Sequence, residues 1–334
     1  MTTPFASGLP SLDELRAAHA RAGAHAVRTP LVRLPGWPGE RPVWLKLECL
    51  QPIGSFKIRG AANALALASR ESLAAGVATA SAGNMAQGVA WLARALGVPC
   101  TVVAPDHAPA AKLEAIVRLG ASVVRVPFAR WWQALEERRY PGLDGLFVHP
   151  VSDEAVIAGN AGVGLEILED LPEPAAVLVP YGGGGLSSGI ALALRAAGAR
   201  AAVFACEVET AAPLAASFVA GAASAIEYRP SFVDGIGGRT VLPEMWPLVR
   251  RLLAGSCVST LEETARAIRT LVVRAHVVAE GAGGASVAAA LGSGVATGAA
   301  GGSIRLPEGP LVCVVSGGNI DPAKLAAILE GRVP

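Results

Sequence analysis

Residues 176–207 of this 334-residue chain have the sequence AVLVPYGGGGLSSGIALALRAAGARAAVFACE. An apolar run of strand length, Ala176 to Pro180, precedes a glycine-rich turn, and a helical pattern from Leu186 to Ala197 leads to a second apolar run, Val203 to Glu207. A strand, a helix and a second strand in this order form the βαβ unit, whose two strands lie parallel. The stretch therefore predicts a parallel sheet that is covered by helices.

The same rhythm precedes this stretch, because Val77 to Ala80 and Cys100 to Ala104 are apolar runs on either side of a helical pattern from Met85 to Leu96. Alternating strands and helices are typical of α/β proteins with doubly wound, open and mostly parallel sheets. No repeat of solenoid length is present. Further predicted elements are helices over Ala110 to Leu119 and Phe128 to Arg139, and strands over Ser122 to Val126, Phe147 to His149 and Leu311 to Val315.

The composition excludes several classes of protein. Hydrophobic residues make up 52% and charged residues 16%, so intrinsic disorder is excluded. The net charge of +1 and the absence of a basic stripe argue against nucleic acid as a partner. The uncharged stretches Ala175 to Leu194 and Gly281 to Ile304 contain too much glycine, alanine and serine to cross a membrane. No secretory signal is visible, and we expect a cytoplasmic protein.

The cysteines and histidines do not form a metal site by their spacing. Five cysteines lie far apart without a CxxC pair, and most of them lie in apolar runs, so we expect buried, reduced thiols. The five histidines have no HExxH spacing. We therefore expect no metal.

A run of four glycines, Gly182 to Gly185, connects a predicted strand to a predicted helix. Each glycine costs about 0.5–1 kcal/mol in chain entropy, so a function should require them. Main chain without side chains lets N–H groups converge on a phosphate at the positive end of a helix. The lysine of a nucleotide-binding P-loop is missing, and a flexible turn without a ligand is the alternative.

A lysine, Lys57, lies in an otherwise small and apolar segment, Pro52 to Ala61. Burial disfavours an ammonium group, so this lysine has a lowered pKa or a covalent partner unless its amine reaches solvent. A candidate amine nucleophile together with a phosphate site suits a cofactor that carries both an aldehyde and a phosphate.

Four motifs in order resemble the serine/threonine dehydratase group of fold type II pyridoxal-phosphate enzymes, which have the tryptophan synthase β-like fold. The motifs are Ser55 to Ala61, Ser81 to Gly88, the tetraglycine turn and Val315 to Asn319. The resemblance implies a small inserted domain, residues 67–152, and a large cofactor-binding domain made of residues 1–66 and 153–334.

The resemblance also implies roles for individual residues. Lys57 would be the catalytic residue and form the Schiff base, Phe56 would pack near the cofactor ring, and Asn84 would bind the ring hydroxyl. Ser316 would face the pyridine nitrogen, which a hydroxyl cannot protonate as a carboxylic acid would, and this favours elimination over transamination. The cofactor phosphate would rest on Gly182, Gly183, Gly184, Gly185 and Leu186.

The substrate site follows from the second motif. The resemblance implies that the main chain of Ser81, Ala82, Gly83 and Asn84, aided by Gln87, holds the substrate carboxylate. Two less specific segments complete the site. Gly235 belongs to a glycine loop that would pass close to the cofactor, and Glu280 would lie near the ring or serve as a buried structural partner.

Several positions depart from the group's pattern. Met85 stands where many relatives have histidine, and Ala82 stands where racemases of the group have a serine, which counts against racemisation. Glu207 matches the first ligand of the group's cation site, but Pro213 stands where a second acidic ligand is expected, which argues against activation by a metal. No appended regulatory domain is expected after Asn319.

The resemblance implies an ammonia-lyase that converts L-threonine or L-serine to 2-oxobutanoate or pyruvate and ammonia, with Lys57 taking the Cα proton. Alternatives within the fold are a 3-hydroxyaspartate dehydratase, a threonine synthase-like or other β-replacement enzyme, and a serine racemase. A non-catalytic binding module is the alternative from another class. We expect a small hydroxyamino acid as the substrate and a homodimer as the assembly.

Overall fold

The computed structural model describes residues 2–37, 39 and 41–334. Its strands form two sheets, one of eight strands and one of four. The strands are β1 (Leu31–Arg33), β2 (Val43–Lys46), β3 (Val77–Ala80), β4 (Cys100–Pro105), β5 (Ser122–Val126), β6 (Leu146–Phe147), β7 (Ala176–Pro180), β8 (Ala202–Val208), β9 (Gly255–Ser259), β10 (Val295–Gly298), β11 (Ser303–Arg305) and β12 (Leu311–Val314).

Helices separate most of the strands, and a π-helical turn, Leu271–Ala275, follows the twelfth helix. The helices are α1 (Leu12–Ala22), α2 (Lys57–Leu67), α3 (Arg70–Ala74), α4 (Asn84–Leu96), α5 (Ala110–Arg118), α6 (Phe128–Glu137), α7 (Glu154–Asn160), α8 (Gly162–Asp170), α9 (Gly185–Ala196), α10 (Pro213–Ala220), α11 (Trp246–Leu252), α12 (Leu261–Thr270), α13 (Gly281–Leu291) and α14 (Pro322–Leu329).

The larger sheet has the order β1-β2-β12-β7-β8-β9-β10-β11. Its five central strands, β2, β12, β7, β8 and β9, run parallel, and β1, β10 and β11 pair antiparallel at the two edges. The last strand of the chain, β12, therefore lies in the middle of the sheet, between β2 and β7.

Helices cover both faces of the larger sheet, so its central strands are apolar on both sides. Leu178 of β7 belongs to a core that α12 and α13 complete, whereas Val177 and Val179 face the opposite core, which α8 and α9 complete. This burial on both faces explains why β7 is an uninterrupted apolar run in the sequence.

The smaller sheet is entirely parallel and has the order β5-β4-β3-β6. Its larger core packs α2 and α4 against the sheet, and α6 covers the other face. The strands of this sheet lie between β2 and β7 in the sequence. The segment that forms the smaller sheet is therefore an insertion in the segment that forms the larger sheet. The exact domain limits 1–66, 67–152 and 153–334 stay a prediction, and α2, which they assign to the large domain, packs into the smaller core.

The predicted α/β fold with mostly parallel sheets is confirmed. The predicted strand Phe147 to His149 is wrong in its bounds, because β6 covers Leu146–Phe147. The Nδ1 atom of His149 accepts hydrogen bonds from the main-chain N–H groups of Val151 and Ser152, so the chain turns there instead of extending the strand.

All five cysteines are free and buried, as expected. None of the helices in the described part of the chain combines the length and apolar character that crossing a bilayer requires.

Candidate active site

Two turns that are far apart in the sequence join at the carboxyl ends of β2 and β12. Ser55 pairs with Gly317 in an isolated antiparallel bridge. The N–H of Phe56 donates to the carbonyl of Ser316 at 3.0 Å, and the N–H of Gly318 donates to that of Gly54 at 2.9 Å. These bonds place the segment that carries Lys57 directly beside Ser316, which is buried.

Lys57 is the first residue of α2, and its Nζ donates to the main-chain carbonyl of Pro150 at 2.8 Å. The ammonium also lies 5.2 Å from the centre of the Phe56 ring. Burial lowers the pKa of the Lys57 amine to about 8, and the nearby Glu280 carboxylate opposes this change. Near neutral pH the neutral, nucleophilic form of this amine is therefore a minority, but a far larger one than for an ordinary lysine.

The tetraglycine turn follows β7 and packs against the segment that carries Pro150. A Cβ atom at Gly183 would lie 2.6 Å from Cγ1 of Val151, and one at Gly185 would lie 2.8 Å from the Val151 carbonyl oxygen. Gly184 has a φ of +96°, which side chains rarely adopt. The turn thus requires glycine for its shape and for its contact with Val151, whose neighbour holds the Lys57 amine.

Four helices begin at this site without a side-chain cap, so the N–H groups of their first turns are left to bind another group. In α13 the N-cap carboxylate turns away from its own helix towards Asn84. The uncapped N-cap positions are Phe56 of α2, Gly83 of α4, Gly184 of α9 and Glu280 of α13.

Three polar side chains connect the two sheets at the site. Nδ2 of Asn84, at the start of α4, donates to Oε1 of Glu280 at 2.8 Å. Nδ2 of Asn319 donates to Oδ1 of Asn84 at 2.8 Å. Burial raises the pKa of Glu280 to about 7, although the bond from Asn84 opposes this rise. Asn84 and Glu280 thus lie in contact, and Asn319, which belongs to the motif Val315 to Asn319, completes the group. The roles of Asn84 and Glu280 towards a cofactor stay predictions.

The segment around Gly235 lies between the glycine turn and Glu280. A Cβ atom at Gly235 would lie 3.2 Å from Oε1 of Glu280, and a Cβ atom at Gly182 would lie 3.6 Å from the Cα of Ile236. Gly317 has even less space for a side chain, because a Cβ atom there would lie 2.5 Å from Oε1 of Glu280. The structure therefore brings Lys57, Ser316, Gly235, Glu280 and the glycine turn into one site.

The predicted carboxylate-binding residues form the turn between β3 and α4. The N–H of Ser81 already donates to the carbonyl of Val103, so Ser81 can offer a carboxylate its hydroxyl but not its N–H. The N–H of Gly83 is 3.3 Å from that hydroxyl. Gln87 and Ala82 are half-buried nearby on the same segment. The free N–H groups in this segment are those of the first turn of α4.

These groups suit pyridoxal phosphate. The amine of Lys57 has the lowered pKa that bond formation with an aldehyde needs. The glycine turn at the start of α9, followed by the buried Leu186, offers N–H groups to a phosphate. Asn84 and Ser316 are polar groups on the same site that can bind a ring hydroxyl and a ring nitrogen.

Glu207 matches the first ligand of the group's cation site, but its carboxylate oxygens bind groups of the protein. Oε1 of Glu207 accepts from the N–H of Leu214 at 2.9 Å, and Oε2 accepts from the N–H of Ala215 at 2.8 Å and from the Ser256 hydroxyl at 2.7 Å. Within the described residues, no three His, Cys, Asp or Glu side chains come together as metal ligands. The carboxylate thus caps α10, and these residues do not fit a metal.

A fully buried ion cluster anchors the helix that carries Lys57. Arg59 donates to both oxygens of Glu48 at 2.8 Å and to both oxygens of Glu166 at 2.7 and 2.8 Å. Lys46 donates to Oε2 of Glu166 as well. Two cations and two carboxylates balance each other, which makes their burial tolerable. The cluster fixes the first turn of α2 against β2 and α8.

Residues that sequence reasoning missed are Pro150, Val151, Arg59 as an anchor, and Asn319 as a side chain. Arg59 and Asn319 lie inside two of the four motifs, so their positions in the sequence could have marked them as candidates. Pro150 and Val151 act through main-chain and packing contacts with residues far away in the chain, and their residue types give no signal.

Comparison with known proteins identifies the family of this chain. The profile of the PALP family, described as pyridoxal-phosphate dependent enzyme, matches residues 24–317. The L-threonine ammonia-lyase of Thermotoga maritima is 40% identical over 291 residues, which cover 86% of this chain and 70% of that protein.

Two solved structures extend the likeness to the fold. A threonine deaminase from T.th. has a TM-score of 0.79 and 34% identity, covering 93% of this chain and 99% of that chain. Maize serine racemase has a TM-score of 0.83 and 29% identity, covering 96% of this chain and 97% of that chain. By its sequence, its fold and the groups at its site, this chain belongs to the family of pyridoxal-phosphate dependent enzymes.

Proposed function

We propose that this protein is an ammonia-lyase that converts L-threonine, L-serine or both to 2-oxobutanoate or pyruvate, with release of ammonia. The observation that carries the proposal is that the Lys57 amine, with its lowered pKa, donates to the carbonyl of Pro150. The next residue, Val151, packs on the tetraglycine turn. The names of the relatives support the reaction, since they include an L-threonine ammonia-lyase and a threonine deaminase.

The chain's own groups would hold the cofactor and the substrate. Lys57 would hold the aldehyde carbon, the tetraglycine turn with Leu186 the phosphate, Asn84 the ring hydroxyl and Ser316 the ring nitrogen. Phe56, Gly235 and Glu280 would line the ring. The substrate carboxylate would rest at the start of α4, on the Ser81 hydroxyl and the N–H groups of the first turn, beside Ala82, Gly83 and Gln87.

When bound, pyridoxal phosphate withdraws electrons from the α-carbon of an amino acid. The Lys57 amine takes the Cα proton, and Pro150 holds the amine because its carbonyl accepts one N–H and leaves the nitrogen lone pair free. A proton reaches the β-hydroxyl as it leaves. For threonine the products are one 2-oxobutanoate and one ammonia, because the water that is lost in the elimination is regained when the nitrogen is released.

The proposal is tested with purified protein and added pyridoxal phosphate. We expect a visible absorption band and the release of a 2-oxo acid from L-threonine or L-serine. Lys57→Ala should lose both, whereas Lys324→Ala, which also removes an amine, should keep both. A wild-type protein that acquires no band with the cofactor would contradict the assignment of Lys57.

Serine racemisation is the second candidate, because a serine racemase is among the similar structures. Ala82 argues against it, since no hydroxyl at this position can return a proton to the opposite face. A panel of L-threonine, L-serine and DL-3-hydroxyaspartate, with analysis of both 2-oxo acids and D-serine, separates the candidates. O-acylserine with an added nucleophile tests for β-replacement.

The domain limits, location and assembly are also proposals. We propose that residues 67–152 form the small domain and that its closure over the large domain excludes water. Five free, buried cysteines support a location in the reducing cytoplasm. A homodimer is proposed as the assembly, and sedimentation of the purified protein measures it.

A further inference from the structure

Asn319 contacts two segments of the site with one amide nitrogen. Its Nδ2 donates to the main-chain carbonyl of Ile53 at 2.9 Å and to Oδ1 of Asn84 at 2.8 Å. Asn84 in turn donates from Nδ2 to Oε1 of Glu280 at 2.8 Å. The two bonds of Asn319 thus link the turn before Lys57 to the start of α4, which belongs to the smaller sheet.

This chain of bonds fixes which end of the Asn84 amide faces which neighbour. A carbonyl such as that of Ile53 can only accept, so the Asn319 atom beside it must be the nitrogen. The same nitrogen reaches Asn84, and therefore the Asn84 atom beside it must be the oxygen. The Asn84 nitrogen is left on the other side, towards the Glu280 carboxylate, which also accepts.

The orientation matters because the two ends of an amide have opposite hydrogen-bonding character. The Asn84 nitrogen carries two hydrogens, and one of them is used by Glu280. The second can be donated to an oxygen on the cofactor ring. If the amide turned by half a rotation, a carbonyl oxygen would face the ring oxygen and repel it.

We propose that Asn319 is a positioning residue, which orients the Asn84 amide so that its nitrogen, and not its oxygen, is presented to the cofactor ring. The inference rests on the proposed function, since it assumes that pyridoxal phosphate occupies this site. The competing role for Asn319 is purely structural, namely fastening the turn at Ile53.

The test is a double-mutant cycle on cofactor affinity, measured by titration of the apoprotein with pyridoxal phosphate. Asn319→Ala should weaken binding roughly 3- to 10-fold, the range for one net hydrogen bond. In the Asn84→Ala background the same change should weaken binding less than about twofold, because there is no amide left to orient. Asn319→Ala should also shift the wavelength of the visible band at saturating cofactor in the wild-type background, and shift it less in the Asn84→Ala background. This wavelength can be measured even where affinity is low.

Two further variants keep the test decisive. Asn319→Asp preserves size but offers only acceptors, so it would favour the reversed Asn84 amide and should weaken cofactor binding at least as much as Asn319→Ala. It keeps the test available if the alanine variant folds poorly. Asp321→Ala removes the nearby side-chain cap of α14 and should lower thermal stability without changing cofactor affinity.

Each outcome decides the question. An equal loss of affinity in both backgrounds assigns Asn319 to the Ile53 turn and overturns the proposal, as does no loss in either. If wild-type protein itself binds no cofactor, the proposed function fails instead, and the two failures are thereby distinguished.

Discussion

The Nζ atom of Lys57 lies 2.8 Å from the main-chain oxygen of Pro150, and this carbonyl belongs to the segment whose next residue, Val151, packs on the tetraglycine turn. One short loop thus contacts both the Lys57 amine and the tetraglycine turn, which is the proposed phosphate site. The His149 ring holds the loop by accepting the N–H groups of Val151 and Ser152, and the Ser152 hydroxyl extends the network to Glu244.

The rate at which the apoprotein binds pyridoxal phosphate should rise with pH and level off above about 8. Burial lowers the pKa of Lys57 to about 8, and only the neutral amine attacks an aldehyde. Stopped-flow growth of the visible band measures the rate. Glu280→Gln should move the midpoint to a lower pH, because the Glu280 carboxylate favours the charged amine. A midpoint unmoved by this change would contradict the electrostatic link between the two groups.

Alanine at two neighbouring glycines should give opposite outcomes when Val151 is shortened. Gly183→Ala meets the Val151 side chain at 2.6 Å, so Val151→Ala should restore much of the lost cofactor affinity. Gly185→Ala meets the Val151 carbonyl oxygen at 2.8 Å, which no side-chain change removes. Titration of the four variants tests this contrast. Rescue of both glycine variants, or of neither, would mean that the turn is held by other contacts.

Removing the charge of Arg59 should cost about 3–5 kcal/mol of unfolding free energy, because Glu48 and Glu166 are left buried without their main partner. Urea unfolding of Arg59→Met measures the loss. Arg16→Ala is the control, since its pair with Asp13 is exposed and should contribute less than about 1 kcal/mol. Arg59→Lys keeps the charge but loses the forked geometry, and an intermediate stability is expected.

The contribution of Glu207 to stability should fall as the pH rises from about 4.5 to about 7. Burial raises the pKa of Glu207 to about 7, so in this window the native state retains a proton that the unfolded chain has lost. The raised pKa of Glu280 likewise lowers the free energy of unfolding as the pH rises through this window. Glu207→Gln should therefore flatten part of this slope in urea unfolding at stepped pH. A slope identical to that of the wild type would show that Glu207 is ionised throughout.

Chelation of divalent cations should leave the enzyme unchanged. Both oxygens of Glu207 already accept protein hydrogen bonds, and Pro213 supplies no second ligand. We expect EDTA, and separately added Mg²⁺ or Ca²⁺, to alter turnover by less than about twofold, since in the described residues no three His, Cys, Asp or Glu side chains form a metal site. A marked shift of the melting temperature with either cation would reveal a site formed elsewhere.

Sequence patterns predicted the parallel strands better than the antiparallel edge of the larger sheet. The strands β5 and β7 have the predicted bounds because each is bordered by clear turn signals and lies in a parallel sheet. The antiparallel hairpin of β10 and β11 was not predicted, since short strands with glycine, serine and exposed side chains lack a marked apolar pattern.

Lys57 and the tetraglycine turn could be proposed as site residues because a lysine in an apolar segment and four adjacent glycines are rare, and the other residues were proposed from the family resemblance of four motifs. The contact between Asn319 and Asn84 was not predicted, because the two residues lie 235 positions apart and only folding makes them neighbours. The same holds for Lys57 and Pro150, whose bond uses a main-chain atom that every residue type possesses.

The position of β12 has a consequence for synthesis on the ribosome. Until residues 311–314 have left the exit tunnel, β2 and β7 lack the strand that pairs with both of them, so one edge of each strand has no partner. Nascent chains with such edges are prone to aggregate or to recruit chaperones. The proposed cofactor site is then complete only late in synthesis, since Ser316 is made after almost all of the polypeptide that surrounds it.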